Sequence, residues 1–247
     1  MKKSENTNYQ ITSIEPDFEV LVVENEPLLS LTKMDLATIE QIWNEAQRKS
    51  EGSLFNGKLL SVVSLVNGKL IGKFVDYKLY IAQLAAPELE PLLQIKPISI
   101  SCICLLKEKL LLGKRSYRVT EFPGFYELVP SGGIEPSNVM RGKVNLLGQT
   151  LLELEEETPL VRKQVKTVVP FALVQEIDSG RCEVCMEIVL DCDQLNEKLE
   201  MASKGEYSEL LWVSLEKFKL LTSQKDVECV PFSKQLLQEF LFKKKRK

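Results

Sequence analysis

The stretch Leu151-Leu152-Glu153-Leu154-Glu155-Glu156-Glu157-Thr158-Pro159-Leu160 decides how the chain is read, together with the turn Ser131-Gly132-Gly133-Ile134-Glu135-Pro136 upstream of it. On a helix of about 100° per residue, Glu153 at 0° places Glu156 near 300° and Glu157 near 40°. Three carboxylates thus share one face. Leu147, Leu151 and Leu154 gather between roughly 100° and 160°, on the other side. The spacing predicts a helix from Leu146 to Thr158 with a buried leucine stripe behind an acidic cluster. Exposed like charges at these spacings repel by about 0.2–0.5 kcal/mol per pair. Such a run is either a solvated acidic face or a place where carboxylate oxygens hold a hard cation, Mg²⁺ or Mn²⁺, which reverses the repulsion.

Around this helix the pattern is mixed α/β. From the turn outward, Ile98 to Leu106, Lys109 to Leu112 and Phe125 to Val129 read as strands. Val165 to Ile177 and Cys182 to Asp191 are long β-like runs joined by Asp178-Ser179-Gly180-Arg181. Leu210 to Val213 reads as a further strand and Lys234 to Lys243 as a terminal helix. Towards the N-terminus, Lys58 to Val66 and Lys69 to Val75 flank Asn67-Gly68, a strong hairpin signal because both turn residues tolerate positive φ. Phe18 to Val23 reads as a strand. Asp35 to Arg48 reads as a helix with Asp35 as N-cap and Gly52 beyond its end. Ala85 to Leu93 reads as a short helix, and residues 1 to about 16 as a loose polar segment. Pro91 and Pro97 mark a boundary near residue 95, which predicts an N-terminal domain over 1–95 and a second domain over 96–247.

Composition narrows the chemistry. The 247 residues are 44% apolar and 27% charged with net charge −3, an ordinary globular balance without the basic footprint of a nucleic-acid binder. No apolar run reaches the roughly 20 residues of a membrane span, and the N-terminus lacks the apolar core of a signal peptide. The expectation is an intracellular, cytoplasmic protein with reduced thiols, no nucleic-acid partner and no membrane partner. The tail Lys243-Lys244-Lys245-Arg246-Lys247 is read as a solvated terminus, with nuclear import as its alternative. Histidine is absent. Ser-His-Asp and Cys-His catalysis are therefore excluded, as are zinc sites with imidazole ligands. Acid/base work must fall to carboxylates, Lys, Tyr or metal-bound water. Cys182-Glu183-Val184-Cys185 and Cys102-Ile103-Cys104 offer four thiols, but in β-like runs without knuckle turns, so a tetrathiolate zinc site is not expected.

Gly133, Glu153, Leu154, Glu156, Glu157 and Leu160 match the Nudix box, G-x5-E-x7-R-E-U-x-E-E-x-G-U, and Glu127 to Gly133 resemble the strand leading into it. The chain departs from the pattern in four places. Gly133 and Glu153 stand twenty positions apart where the pattern has fifteen. The box's first glutamate falls on Val139, its arginine on Leu152 and its last glycine on Pro159. Proline can end the helix by its own route, and the extra residues can bulge outward without disturbing the glutamate spacing.

Further segments sharpen the resemblance: Lys114-Arg115-Ser116, Glu121-Phe122-Pro123-Gly124-Phe125, Trp43, Leu54-Phe55-Asn56-Gly57, and Asp76-Tyr77-Lys78 with Tyr80. These look like the divergent Nudix proteins that hydrolyse UDP-glucose and UDP-galactose, which carry a lengthened, arginine-free box and an N-terminal pre-Nudix domain. The resemblance covers roughly residues 35 to 215. It implies an α/β/α Nudix sandwich with a mixed sheet, preceded by a smaller α/β domain, that cleaves UDP-hexose to UMP and hexose 1-phosphate with Mg²⁺ (Mn²⁺ as an alternative). Glu153, Glu156 and Glu157 would be the metal ligands and catalytic carboxylates, with the Gly133 carbonyl as a further ligand. Arg115, Tyr77, Asn56 and Glu206 would meet the substrate, with Glu209 competing for the role of Glu206. Two alternatives stay open: a Nudix pyrophosphatase for another nucleoside diphosphate derivative such as ADP-ribose, and a catalytically silent module that binds a nucleotide or a protein. The oligomeric state is left open.

Overall fold

The structure, a computed structural model, describes residues 8–23, 31–50, 52, 54–119, 121–191, 205–223 and 228–244. Its first elements are β1 (Tyr9–Ser13), β2 (Val20–Val22), α1 (Lys33–Lys49), β3 (Lys58–Val66), β4 (Lys69–Asp76), α2 (Tyr77–Ala85) and α3 (Glu90–Leu93). Then follow β5 (Ile98–Leu106), β6 (Lys109–Arg115), β7 (Tyr126–Leu128), β8 (Ser131–Gly133), β9 (Val139–Met140), β10 (Lys143–Val144) and α4 (Leu146–Glu157). The last are β11 (Val165–Glu176), β12 (Cys182–Leu190), β13 (Tyr207–Ser214), α5 (Leu215–Ser223) and α6 (Pro231–Lys244). They form two compact units. The larger takes residues up to Phe18, Ser99–Gly132 and Leu146–Lys247, and the smaller takes Glu19–Ile98 and Gly133–Asn145.

In the smaller unit a five-stranded sheet runs β3-β4-β2-β10-β9. The β3–β4 hairpin turns where the sequence predicts, with φ of 50° at Asn67 and 71° at Gly68. Strand β2 joins β4 in parallel, so the sheet is mixed. Helix α1 starts two residues before the expected Asp35. Thr32 is its N-cap, and Asp35 closes a capping box in which the Thr32 backbone N–H donates to Asp35 Oδ2 (2.8 Å) and the Asp35 N–H to Thr32 Oγ1 (3.2 Å). Ile39 and Trp43 of α1 are buried, and Ile39 packs with Leu79, Tyr80 and Ala82 of α2.

Helix α2 is a correction to the sequence reading, which left Tyr77 to Gln83 without a helix. The N-cap residue Asp76 makes no side-chain cap; instead Asn56, 22 residues earlier, accepts from the Lys78 N–H through Oδ1 (2.9 Å). Such a remote cap leaves no local sequence signature.

The residues in excess of the box pattern lie in Gly133–Asn145, and they do not bulge outward as expected. They form the β9–β10 hairpin, turned by Arg141 (φ 53°) and Gly142 (φ 73°), and β10 pairs antiparallel with β2. Glu19 holds both sides, accepting from Lys143 (2.6 Å) and bridged to Lys69 (2.5 Å). Those two ammonium groups, Lys143 first, lower the Glu19 pKa to about 2.

The larger unit is built on an eight-stranded sheet, order β1-β11-β12-β5-β6-β13, with β7 beside β6 and β8 beside β5. The segment expected to be loose contains β1, paired antiparallel to β11 from Tyr9↔Glu176 to Ser13↔Ala172; its residues 1–7 lie outside the described residues. Its alternate residues Tyr9 and Ile11 pack on the core, which is a period-2 pattern too short to stand out among polar neighbours. Along β5 the pleat separates two faces. Ile103 and Leu105 pack with Phe171, with Phe218 of α5, and with Leu236, Leu237 and Phe240 of α6. Cys102 points the other way, towards the glutamates of α4, and so helices cover both faces: an α/β/α arrangement. Among the described residues no helix is long and apolar enough to cross a membrane.

Replacing Asn56 by Ala removes the N-terminal partner of α2. The expected result is a loss of about 0.5–2 kcal/mol in stability, read from the urea midpoint.

Candidate active site

Three neighbouring strands bring the first groups together. Arg115 ends β6 opposite Tyr207 of β13, and Glu127 of β7 faces Gly113 of β6. An Arg115 guanidinium nitrogen bonds Glu127 Oε2, which also accepts from the Tyr207 hydroxyl (3.1 Å), while Ser131 Oγ donates to Glu127 Oε1 (3.3 Å). Glu206, just before β13, lies 3.4 Å from the same Arg115 nitrogen, and Arg115 Nε donates to the Glu121 carbonyl (3.0 Å). Glycine at 113 is a packing requirement: a Cβ there would stand 2.5 Å from the Tyr207 ring and 2.7 Å from Val129.

Helix α4 supplies the rest, and its burial differs from the expected picture of leucines on one side and acids on the other. Leu146, Gln149, Thr150, Leu151, Glu153, Leu154 and Glu157 are all buried. On the helical wheel they fill one arc of roughly 200° that contains two of the three glutamates. Leu147, expected inside, is 44% exposed. Glu153 and Glu157 are each only 9% exposed, whereas Glu156 lies just outside the arc and faces solvent.

The Glu153 carboxylate rests over Gly132, where a Cβ would stand 2.3 Å from its carboxyl carbon, and Oε1 accepts from Gln149 Nε2 (2.8 Å). Glu157 Oε2 accepts from the Ser131 N–H (3.0 Å). The glycine that this packing demands is therefore Gly132; a Cβ on Gly133 would meet open space, and Gly133 belongs to the smaller unit. The helix ends as Pro159 implies. The Thr158 hydroxyl donates to the Leu154 carbonyl (2.5 Å) and accepts from the Leu160 N–H (3.1 Å).

Burial dominates the electrostatics. It pushes the Glu157 carboxyl well above the usual range, helped by Glu206, Glu153 and Glu127 and opposed by the Ser131 N–H. Glu206 is raised by burial and by Glu127, against the pull of Arg115. For Arg115, burial works against the charge, but Glu127, Tyr207 and Glu206 outweigh it and the pKa goes up. Arg115 thus pairs with Glu127 and the half-exposed Glu206, and both of these with Glu153 lie near Glu157. Glu127, the busiest acceptor, has no role in the sequence reading beyond the strand it stands in. Its signal there is a lone charge between Tyr126 and Leu128 in a short strand. Between the two candidates at 206 and 209, the geometry brings in Glu206; Glu209 is exposed beside Lys114.

Tyr77 and Asn56 lie in the smaller unit and have partners there. Tyr77 packs edge-on to Trp43 (6.5 Å between ring centroids) and against Tyr80 (6.4 Å), and Asn56 caps α2. Cys102, Cys104, Cys182, Cys185 and Cys229 are buried, and among the described residues none is in a disulfide. Burial raises the Cys102, Cys104 and Cys185 thiols, which keeps them protonated and poor metal ligands. Among the described residues no three carboxylates or thiolates stand close enough together to enclose a metal ion. In chemistry, though, the donor set fits a hard divalent cation: it is all carboxylate oxygen, with Glu153 and Glu157 buried. The basic tail expected after Phe242 has no described side chains, and 245–247 lie outside the described residues.

No protein-family model matches the chain, and no curated protein is similar to it. Solved structures are similar in part. DR0079 from Deinococcus radiodurans shares 11% identity over 72% of this chain and 97% of its own, with a TM-score of 0.49. A NUDIX hydrolase from Nitrosomonas europaea shares 12% over 59% and 88%, with a TM-score of 0.37. A bifunctional NMN adenylyltransferase/ADP ribose pyrophosphatase from Francisella tularensis, complexed with AMP and a manganese ion, shares 14% over 86% and 50%, with a TM-score of 0.44. Likenesses at these identities and TM-scores transfer no residue roles.

The raised Glu157 carboxyl has a stability consequence with a definite sign. The folded chain holds this proton more tightly than the unfolded chain, whose value is near 4.5, so stability falls as pH rises from there through the raised pKa. In EDTA, Glu157→Gln is expected to melt higher than the parent near pH 7–8 and to lose less stability between roughly pH 5 and 8. Thermal melts across that range check it; a variant that melts lower than the parent at every pH contradicts the assignment.

Proposed function

We propose that the chain is a Nudix-type hydrolase that uses a divalent cation to split the pyrophosphate of a UDP-sugar, UDP-glucose or UDP-galactose, into UMP and hexose 1-phosphate. The observation that carries this reading is the buried pair Glu153 and Glu157, one turn apart on α4. Near them stand Glu127 and Glu206, which pair with Arg115, and Glu206, Glu153 and Glu127 all raise Glu157. Their match to the Nudix box supports the same conclusion from the sequence. Glu153 and Glu157 would hold Mg²⁺ or Mn²⁺, with the solvent-facing Glu156 acting through water. The cation, when bound, would favour deprotonation of the attacking water and offset charge on the phosphate oxygens.

The chain's own groups divide the remaining work. Glu206, its pKa raised and its carboxyl half-exposed, is suited to take the proton of that water. Arg115, oriented by Glu127 and the Glu121 carbonyl, presents a planar guanidinium that can bind the diphosphate. The smaller unit is read as the counterpart of the pre-Nudix domain, and the protein as cytoplasmic.

A second reading, a silent nucleotide- or protein-binding module, draws on the outward-facing Glu156, on Leu152 in place of the box arginine, and on the lack of a three-carboxylate metal cage among the described residues. One experiment separates them: incubate the full chain with UDP-glucose, UDP-galactose or ADP-ribose and Mg²⁺, and resolve the products by chromatography. The proposal expects UMP and hexose 1-phosphate, with Glu157→Gln slower by roughly a hundredfold or more, since even residues behind the metal ligands are worth 10–100-fold. AMP from ADP-ribose alone would redirect the substrate. Binding without turnover of any of them would establish the silent module.

A further inference from the structure

Among the described residues, five other than glycine have positive φ. Asn67, Lys107 and Arg141 stand in hairpin turns, and Gln94 ends α3. Phe122 (φ 49°) is unlike them, because it is bulky and precedes Pro123. Both features disfavour the left-handed conformation: the side chain crowds its own backbone there, and proline favours extended backbone in the residue before it. Such a conformation persists only where surrounding contacts hold it. Here the ring packs against Phe125 (5.4 Å between centroids) and lines a cleft with Tyr9, Val174 and Phe232. Val174 belongs to the core on the α5 and α6 side of the sheet, whereas Arg115 meets Glu127 on the α4 side. The loop therefore reaches both faces at the end of β6.

Residues 121–125 grip Arg115 by backbone and side chain together. The Arg115 N–H donates to the Phe125 carbonyl (2.9 Å), the Gly124 N–H to the Arg115 carbonyl (3.1 Å), and Arg115 Nε to the Glu121 carbonyl (3.0 Å). The bend itself closes through the Phe125 N–H on the Phe122 carbonyl (3.2 Å). Glu127 and Glu206 both lie on Nη1. Among the described residues Nη2 has no partner, so its two N–H groups remain for a ligand. We infer that Phe122 is a positioning residue: its left-handed backbone aims the Glu121 carbonyl at Arg115 Nε and thereby fixes the direction in which Nη2 meets the diphosphate. A guanidinium held on two nitrogens cannot turn about its stem, and a fixed plane lets both Nη2 N–H groups reach phosphate oxygens. The inference rests on the reading of Arg115 as the diphosphate contact, but its first test needs no substrate.

The test is solvent exchange of the Arg115 Nε–H, followed by NMR on the ¹⁵N-labelled full chain, with the signal identified by its loss in Arg115→Lys. Phe122→Ala and Phe122→Ser remove the ring and leave residues that avoid positive φ. Both are expected to speed exchange about tenfold or more, as for a lost hydrogen bond to a charged group. Phe122→Gly and Phe122→Asn also lack the ring but adopt positive φ readily, and they are expected to stay within about threefold of the parent. Loss of packing alone gives the opposite order, since glycine adds chain freedom that alanine does not. Titration with pyrophosphate and Mg²⁺ reads the consequence: Phe122→Gly is expected to bind about tenfold more tightly than Phe122→Ala. Exchange unchanged in the alanine and serine variants, or equally fast in the glycine and alanine variants, would overturn the aiming. Equal pyrophosphate affinities in the glycine and alanine variants would overturn its role in binding. The expected order without UDP-sugar hydrolysis keeps the positioning and removes the substrate reading; hydrolysis without that order does the reverse.

Discussion

The larger unit depends on burying carboxyl groups and meeting each with a donor. Arg115 pairs with Glu127 and with the half-exposed Glu206, Glu153 and Glu157 are buried on α4, and a buried carboxyl group is tolerated only where donors meet it. The chain provides those donors one by one. The Ser131 N–H serves Glu157, Gln149 serves Glu153, and Tyr207, Ser131 Oγ and Arg115 serve Glu127. Backbone without side chains provides the room, because Gly132 lies under the Glu153 carboxylate and Gly113 under the Tyr207 ring. Ser131 and Gly132, adjacent in the chain, thus fix the two glutamates that are a helical turn apart. An apolar α4 would fold at lower electrostatic cost, so these donors and glycines are what the two glutamates require in order to be buried.

The smaller unit resolves a different tension. An insertion between a glycine turn and a catalytic helix can leave a long surface loop, and long structureless loops are uncommon in compact domains. Here the extra residues become sheet. Arg141-Gly142 turns them back, β10 completes hydrogen bonds along β2, and Glu19 joins Lys69 and Lys143 across the strands. The segment therefore satisfies its backbone groups within a sheet, and α4 begins directly after it at Leu146.

What could be read from the sequence followed the strength of its periodicity. The β3–β4 hairpin, the long strands β11 and β12, and α4 are continuous patterns with turn residues at their ends, and each is found within a residue or two of its expected bounds. Strand β1 was hidden because two apolar residues among polar ones carry little weight until β11 is beside them. Helix α2 was hidden because its cap comes from Asn56, far away in sequence. In the site, i and i+4 spacing was enough to pair Glu153 with Glu157. The i+3 residue, Glu156, shares the acidic face on a wheel and stands at the rim of the arc that is buried. Glu127 carries no sign of its partners in the sequence. It acquires them from other strands, and no local pattern records them.

A chain without histidine must obtain neutral-range proton chemistry from carboxyls, Lys, Tyr or metal-bound water. Glu157, Glu206 and Glu183 are all raised, each by burial before anything else. What separates them is the compensating partner. A backbone N–H and further carboxylates surround Glu157. Glu206 has a guanidinium on one side and access to solvent on the other. Glu183 has the hydroxyls of Ser99 and Ser101 on one oxygen. One residue type thereby takes three chemical characters, and the difference lies in the neighbours that each strand or helix sets beside it.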